Sequence, residues 1–164
     1  MNAGANGQET FETLTEVSFV NHLGAVEVVH EFSYGYRTSC FQHKKGAIAS
    51  ARFRLTPCKE ARGKQLKIID YRTKTQPLGD QSAGCLFRNV AKEVSAGALI
   101  EQAGLKGFRL GGAEVSPLHA NFIVNRENAT ADDVLALADH IKKTVLEKTG
   151  HRLEMEIKVI GHDL

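Results

Sequence analysis

Ala131-Asp132-Asp133-Val134-Leu135-Ala136-Leu137-Ala138-Asp139-His140-Ile141-Lys142-Lys143-Thr144-Val145-Leu146-Glu147-Lys148-Thr149 is the stretch on which the fold class turns. Val134, Leu137, Ala138, Ile141 and Val145 recur at helical spacing, which predicts one apolar stripe on a long helix. Thr130 can cap it with Asp133 at the third helical position, a variant of the capping box, and Gly150 marks its end. The residues that follow change period. Leu153, Met155, Ile157 and Val159 alternate with Glu154, Glu156 and Lys158, so residues 153–160 read as a strand with one apolar and one polar face. A long amphipathic helix running into a strand of period two points to an α+β chain.

Working back toward the N-terminus, residues 94–103 read as a helix stopped by Gly104. Gln76-Pro77-Leu78-Gly79-Asp80 interrupts both periodicities and is the best candidate domain boundary, dividing 1–75 from 76–164. Residues 59–75 suggest a short helix weakened by Gly63, with Leu66, Ile68 and Ile69 as its few apolar positions. Residues 47–56 suggest a strand, apolar at Ile48, Ala51, Phe53 and Leu55 and stopped by Pro57. Two further β-type runs, 13–21 and 25–30, flank a hairpin connection at Asn21-His22-Leu23-Gly24. Residues 1–10 are rich in Gly, Asn and Ala, as suits a loop whose backbone comes close to something. No internal repeat or low-complexity tract occurs, and the pattern suggests two lobes.

Composition bounds the function. At 164 residues the chain holds one ordinary domain or two small ones, and 42% hydrophobic with 24% charged residues is the balance of a globular protein. A formal charge of +2 gives no support to a nucleic-acid or membrane surface. The basic residues between Arg52 and Lys67 are diluted by Glu60 and read as a solvated face. No run approaches the roughly 20 apolar residues of a membrane span, and the start lacks the basic and apolar regions of a signal peptide. Cys40, Cys58 and Cys85 are an odd, widely spaced set without a C-x-x-C pair, and the seven histidines are scattered. Neither a disulfide framework nor a metal site is expected, and a reducing cytoplasm is the simplest compartment.

Four places carry candidate chemistry. Gln81-Ser82-Ala83-Gly84-Cys85-Leu86-Phe87-Arg88-Asn89 combines small residues with Cys, Arg and Asn. A thiol of reference pKa about 8.5 is mostly protonated at neutral pH and can act as a general acid; by spacing alone, Cys85 beside Leu86 and Phe87 reads first as a small buried hydrophobe. In Tyr34-Gly35-Tyr36-Arg37-Thr38-Ser39, Arg37 can hold a carboxylate through two parallel hydrogen bonds, or be a surface residue on a turn. Leu110-Gly111-Gly112-Ala113 is either a loop shaped for backbone contact or an ordinary tight turn. Glu156 lies on the polar face of its run, where solvent is the usual company.

The order and wording of these segments resemble the UDP-N-acetylenolpyruvoylglucosamine reductase family over nearly the whole chain. The M-N-A-G-A-x-G stretch of the family's flavin-binding lobe is Met1-Asn2-Ala3-Gly4-Ala5-Asn6-Gly7, and its Y-R-x-S motif is Tyr36-Arg37-Thr38-Ser39. The S-A-G-[S/C]-x-F-[K/R]-N run lies at 82–89, A-G-x-L-I-E-x-A-G-L-K-G at 96–107, and G-G-A-x-V-S-x-x-H-A-N-F-x-x-N at 111–125. The closing L-E-x-E-[IV]-x-x-I-G lies at 153–161. The resemblance implies the latter part of a flavin-binding lobe of the PCMH type, followed by a small α+β substrate-binding lobe. It implies reduction of an enolpyruvyl group on a UDP-sugar to a lactyl ether in peptidoglycan precursor synthesis, with FAD and NADPH as cofactors. By position, Cys85 matches the family's proton donor, and Arg37 and Glu156 match the pair that stabilises the enol intermediate. Asn2, Ala3, Gly4, Ala5 and Gly7 match the flavin loop, Arg88 and Asn89 the substrate contacts, and Lys74 more loosely a position near the UDP phosphates.

Two departures matter. Val90 stands where the family usually has Pro, which alters a turn more than the chemistry. The family also places a further flavin-binding lobe, with a glycine-rich phosphate loop, before M-N-A-G; Met1 matches an internal methionine, which implies an N-terminally shortened chain. The expectations are therefore two: a part of the flavin enzyme, or a UDP-sugar-binding remnant without redox chemistry.

Overall fold

The computed structural model describes residues 1–5 and 7–161. It divides into two compact units, Met1–Gln65 and Leu66–Leu164. The first is almost all β: β1 (Gly4–Ala5), β2 (Gln8–Glu9), β3 (Leu14–Asn21), β4 (Val26–Val29), β5 (Tyr34–Gly35), β6 (Thr38–Ser39) and β7 (Gly46–Phe53). α1 (Ala61–Thr75) runs across the division. The second unit adds β8 (Ser82–Cys85), α2 (Ala96–Gln102), β9 (Arg109–Leu110), β10 (Ala113–Val115), β11 (Phe122–Asn125) and α3 (Ala131–Thr149). The class is α+β.

In the first unit β3 is central, antiparallel to β4 on one side and β7 on the other. The expected hairpin after β3 is present. Asn21 Oδ1 accepts the Leu23 and Ala25 amides at 2.9 and 3.1 Å, and Gly24 takes a φ of 82°. Val17 and Phe19 are buried on one face of β3, and an aromatic string of Phe19, Phe41, Phe32, Phe11 and Tyr34 runs on from there. The strand expected over 47–56 is shorter, ending at Phe53, and every residue in it is exposed, including Ile48 and Phe53. Its apolar spacing sets a β conformation but supplies nothing in this unit to pack against. The helix expected over 59–75 spans Ala61–Thr75 and also buries no residue. Its apolar positions do not share one stripe.

The second unit is built around the sheet β8-β11-β10-β9, all antiparallel. α3 lies as the spacing predicts: Leu137, Ala138, Ile141 and Val145 are fully buried against Val115, Ile123, Leu99, Ile100 and Leu86. Thr130 and Asp133 form the reciprocal capping box, and Gly150 closes the helix in the left-handed conformation. The Thr130 amide and hydroxyl hold the Asp133 carboxyl below its usual pKa. α2 starts two residues later than the 94–103 reading, at Ala96, because Ser95 caps it by accepting the Ala98 amide at 3.1 Å. Gly111-Gly112 is the two-residue turn between β9 and β10; a side chain on Gly112 would collide with the Glu127 carbonyl. Buried Glu114 pairs with Arg109 and Arg126, and Arg126 also reaches Asp80 at 2.7 Å, tying the approach to β8 onto the sheet.

One expectation fails here. Residues 153–160 do not form a strand; the only ladder contact is an isolated bridge from Met155 to Phe87 among the described residues. Leu153, Met155 and Ile157 do pack on the core, so the alternation marks their face correctly. Val159 and Ile160, however, are 61% and 75% exposed. Alternation fixes which side chains turn inward, but a strand also needs a partner backbone of matching length.

Candidate active site

Cys85 closes β8 opposite Phe122 of β11. The pairing Phe122 to Cys85 and Val124 to Ser82 places an extra residue on β8, and Gly84 absorbs it with a φ of 91°, where a side chain would be strained. The small residues before Cys85 thus have a local cause: they let the strand bulge and re-aim its last side chain.

Cys85, half-buried, lines a cavity of about 410 Å³ together with Asn89, Ser95, Glu101, His119 and Asn121. That volume lies within the range of small-molecule sites. Asn89 Oδ1 accepts the Ala96 amide at 3.1 Å, so it also helps cap α2. His119 Nδ1 accepts the Asn121 amide at 3.2 Å, which leaves Nε2 to carry the proton of the neutral ring. Burial pushes the His119 pKa below its usual value, so the neutral ring prevails at pH 7. Ser116, fully buried, accepts the Leu118 and His119 amides and shapes the turn that carries this wall.

Glu156 is half-buried, and its amide donates to the Leu86 carbonyl at 2.8 Å, one residue from Cys85. The structure therefore brings the backbones of two sequence-selected residues to one rib. The Arg88 amide donates to the Glu154 carbonyl at 2.9 Å, while its side-chain Nε–H is buried and donates to no partner. Lys74 is exposed on α1 and pairs with Asp70 at 2.8 Å.

The remaining selected residues form a second constellation, within the first unit. Tyr36 and Arg37 make the turn between β5 and β6, Arg37 has a φ of 55°, and its guanidinium lies 5.1 Å from the Tyr36 ring centroid. A side chain on Gly4 would come within 3.6 Å of Arg37 Nη1 and 3.0 Å of the Gln8 carbonyl. Arg37 and the Met1–Gly7 run are thus brought together. Buried Asn2 donates to Glu9 and to the Gly35 carbonyl and accepts the Phe11 amide, tying that run to the Arg37 turn. Asn6 of the run lies outside the described residues. An open cavity of about 320 Å³ is lined by Ala3, Gly4, Gln8, Glu9 and Thr10. It stands at the low end of small-molecule sites.

Sequence reasoning gave His119 and Asn121 no role, although both lie in the quoted run at 111–125. Their signal was polarity inside an apolar stretch: His119 and Asn121 interrupt a segment otherwise made of Ala120, Phe122, Ile123 and Val124. Among the described residues no cluster of His, Cys, Asp or Glu could hold a metal ion, and no helix is long and apolar enough to cross a membrane.

Comparison with known proteins bears on the same residues. The family model "UDP-N-acetylenolpyruvoylglucosamine reductase, C-terminal domain" matches residues 76–160. The UDP-N-acetylenolpyruvoylglucosamine reductase of Protochlamydia amoebophila (strain UWE25) is 54% identical across 100% of this chain and 55% of its own length. That of Chlamydia muridarum (strain MoPn / Nigg) is 44% identical over 98% of this chain and 54% of its own. The crystal structure of the Thermus caldophilus enzyme superposes with a TM-score of 0.79 at 38% identity, covering 96% of this chain and 57% of that one. The chain spans about half the length of these relatives. With the matched domain placed on the unit that holds Cys85, Asn89 and Glu156, the chain belongs to the UDP-N-acetylenolpyruvoylglucosamine reductase family.

Proposed function

We propose that the chain serves the FAD-dependent, NADPH-driven reduction of UDP-N-acetylenolpyruvoylglucosamine to UDP-N-acetylmuramate, in the cytoplasm, with residues 76–164 as its substrate lobe and 1–75 as part of its flavin lobe. The cavity that joins Cys85 to Asn89 inside the family's matched domain is the observation that carries this reading.

The chemistry follows from the groups. Bound flavin, reduced by NADPH, supplies the hydride. Its arrival at one carbon of the enolpyruvyl double bond drives charge onto the carboxyl side, and the other carbon then needs a proton. Cys85 donates that proton from Sγ, since an ordinary thiol is mostly protonated at neutral pH. Arg37 holds the developing negative charge with its fixed fork of donors. Glu156 serves the same intermediate, either by sharing a proton with it or as an anion. Arg88, Asn89 and Lys74 bind the UDP-sugar, with Asn89 on the cavity wall beside Cys85. Asn2, Ala3, Gly4, Ala5 and Gly7 would hold the flavin edge, Ala3 and Gly4 from the cavity wall.

The test separates the half-reactions. In a chain extended to the length of the relatives, Cys85→Ala should leave flavin reduction by NADPH intact and slow flavin reoxidation by substrate. Equal loss of both would remove Cys85 from the chemistry. A second reading, a UDP-sugar-binding module without redox activity, draws on the same cavity beside Cys85 in the matched domain. A purified 164-residue chain that binds UDP-sugar but carries no flavin absorbance would establish it; a stoichiometric flavin spectrum would exclude it.

A further inference from the structure

The three residues after Cys85 are the rib on which the site hangs, and one side chain completes their support. β11 begins at Phe122, opposite Cys85, so Leu86 and Phe87 run past its end. Asn121 takes over there. Its carbonyl accepts the Leu86 amide at 2.7 Å, its Oδ1 accepts the Phe87 amide at 3.0 Å, and its Nδ2 donates to the Phe87 carbonyl at 2.8 Å. The carboxamide thus does what a further peptide unit of β11 would have done. It is 3% exposed, so these bonds are made away from water.

The other edge of the same rib carries the C-terminal segment, through the Leu86 carbonyl with the Glu156 amide and the Arg88 amide with the Glu154 carbonyl. The Asn121 amide is meanwhile committed to the turn with His119, which forms the cavity wall beside Cys85. We infer that Asn121 is a positioning residue: its carboxamide lets the chain turn away to build that wall while still fixing the rib that follows Cys85 and receives the Glu156 amide. This rests on the reading that both residues serve one substrate. No other residue type fits well. Asp keeps the acceptor and loses the donor, Gln is a methylene too long, and Ala leaves both buried Phe87 groups unmatched.

The experiment uses the 164-residue chain, unsubstituted and as Asn121→Asp and Asn121→Ala, with residue-resolved amide exchange and peptide-resolved alkylation by iodoacetamide. Asn121→Asp should change the Cys85 alkylation rate by roughly tenfold, as expected for one lost buried hydrogen bond, and Asn121→Ala, which loses two, by more. They should also speed exchange at Phe87 and Glu156 while leaving Ile141 and Val145 of α3 as they were. Unchanged Cys85 and Glu156 in a folded variant would overturn the inference. So would acceleration spread equally over α3, or unfolding of both variants, since either makes Asn121 a general support of the fold. UDP, added to the unsubstituted chain, tests the underlying reading separately. Failure of UDP to slow Cys85 alkylation counts against the substrate site, whereas the Asn121 comparison stands or falls on its own measurements.

Discussion

α1 and α3 are the two long helices among the described residues, and they use their side chains in opposite ways. α3 buries Leu137, Ala138, Ile141 and Val145 completely, whereas α1, at 15 residues, buries none. A comparable difference separates the two units, although α1 itself runs across their division. The second unit has a continuous core from Leu86 to Leu153, while the sheet of the first leaves Val26, Val28, Ile48 and Phe53 largely exposed. Helical propensity and a few apolar residues suffice to form an element. Only an uninterrupted stripe with a matching surface makes it a structural anchor. The cavity with Cys85 belongs to the anchored unit, where positions can be held closely enough for chemistry.

The largest expected effect is at the anchor. Ile141→Ala should cost about 2–5 kcal/mol in urea unfolding of the second unit, through lost transfer energy and the cavity left behind. A cost below about 1 kcal/mol would mean that α3 is not the centre of the core. Thr130→Ala should cost about 1 kcal/mol, by removing the side-chain oxygen that accepts the Asp133 amide at 3.1 Å. His119 supplies a pH dependence. Burial lowers its pKa, so the unfolded chain binds the proton more readily, and stability should fall as pH drops through the ordinary histidine range near about 6.5. His119→Gln should flatten that part of the melting-temperature profile, and an unchanged slope would contradict the assignment. The smallest effect is expected on α1: Leu66→Ala should stay within about 0.5 kcal/mol, because the side chain is 48% exposed. If it proved as costly as Ile141→Ala, the contrast between the helices would collapse.

Much of this was legible from residues alone where local chemistry and burial agree. The α3 stripe, its capping box, the Asn21 turn and the Gly150 stop all follow from short-range rules. The strand expected over 153–160 failed because its pattern reports facing and says nothing of partner length; the rib at Leu86–Arg88 offers a partner only as far as Glu156. Residues 47–56 misled in the same way, since apolar spacing does not say what covers the face. At the site, spacing left Cys85 open between core and catalysis, and only the resemblance joined it to Arg37 and Glu156. Asn121 could not be read at all. Its role depends on where β11 ends, a fact of register that no local window contains.

The central claim is that the cavity beside Cys85 binds the UDP-sugar. The direct measurement is alkylation of Cys85 in the 164-residue chain during titration with UDP-N-acetylenolpyruvoylglucosamine, with exposed Cys58 as internal reference. The account predicts saturable protection of Cys85 while Cys58 reacts at an unchanged rate; an unprotected Cys85, or equal slowing at both cysteines, would contradict it.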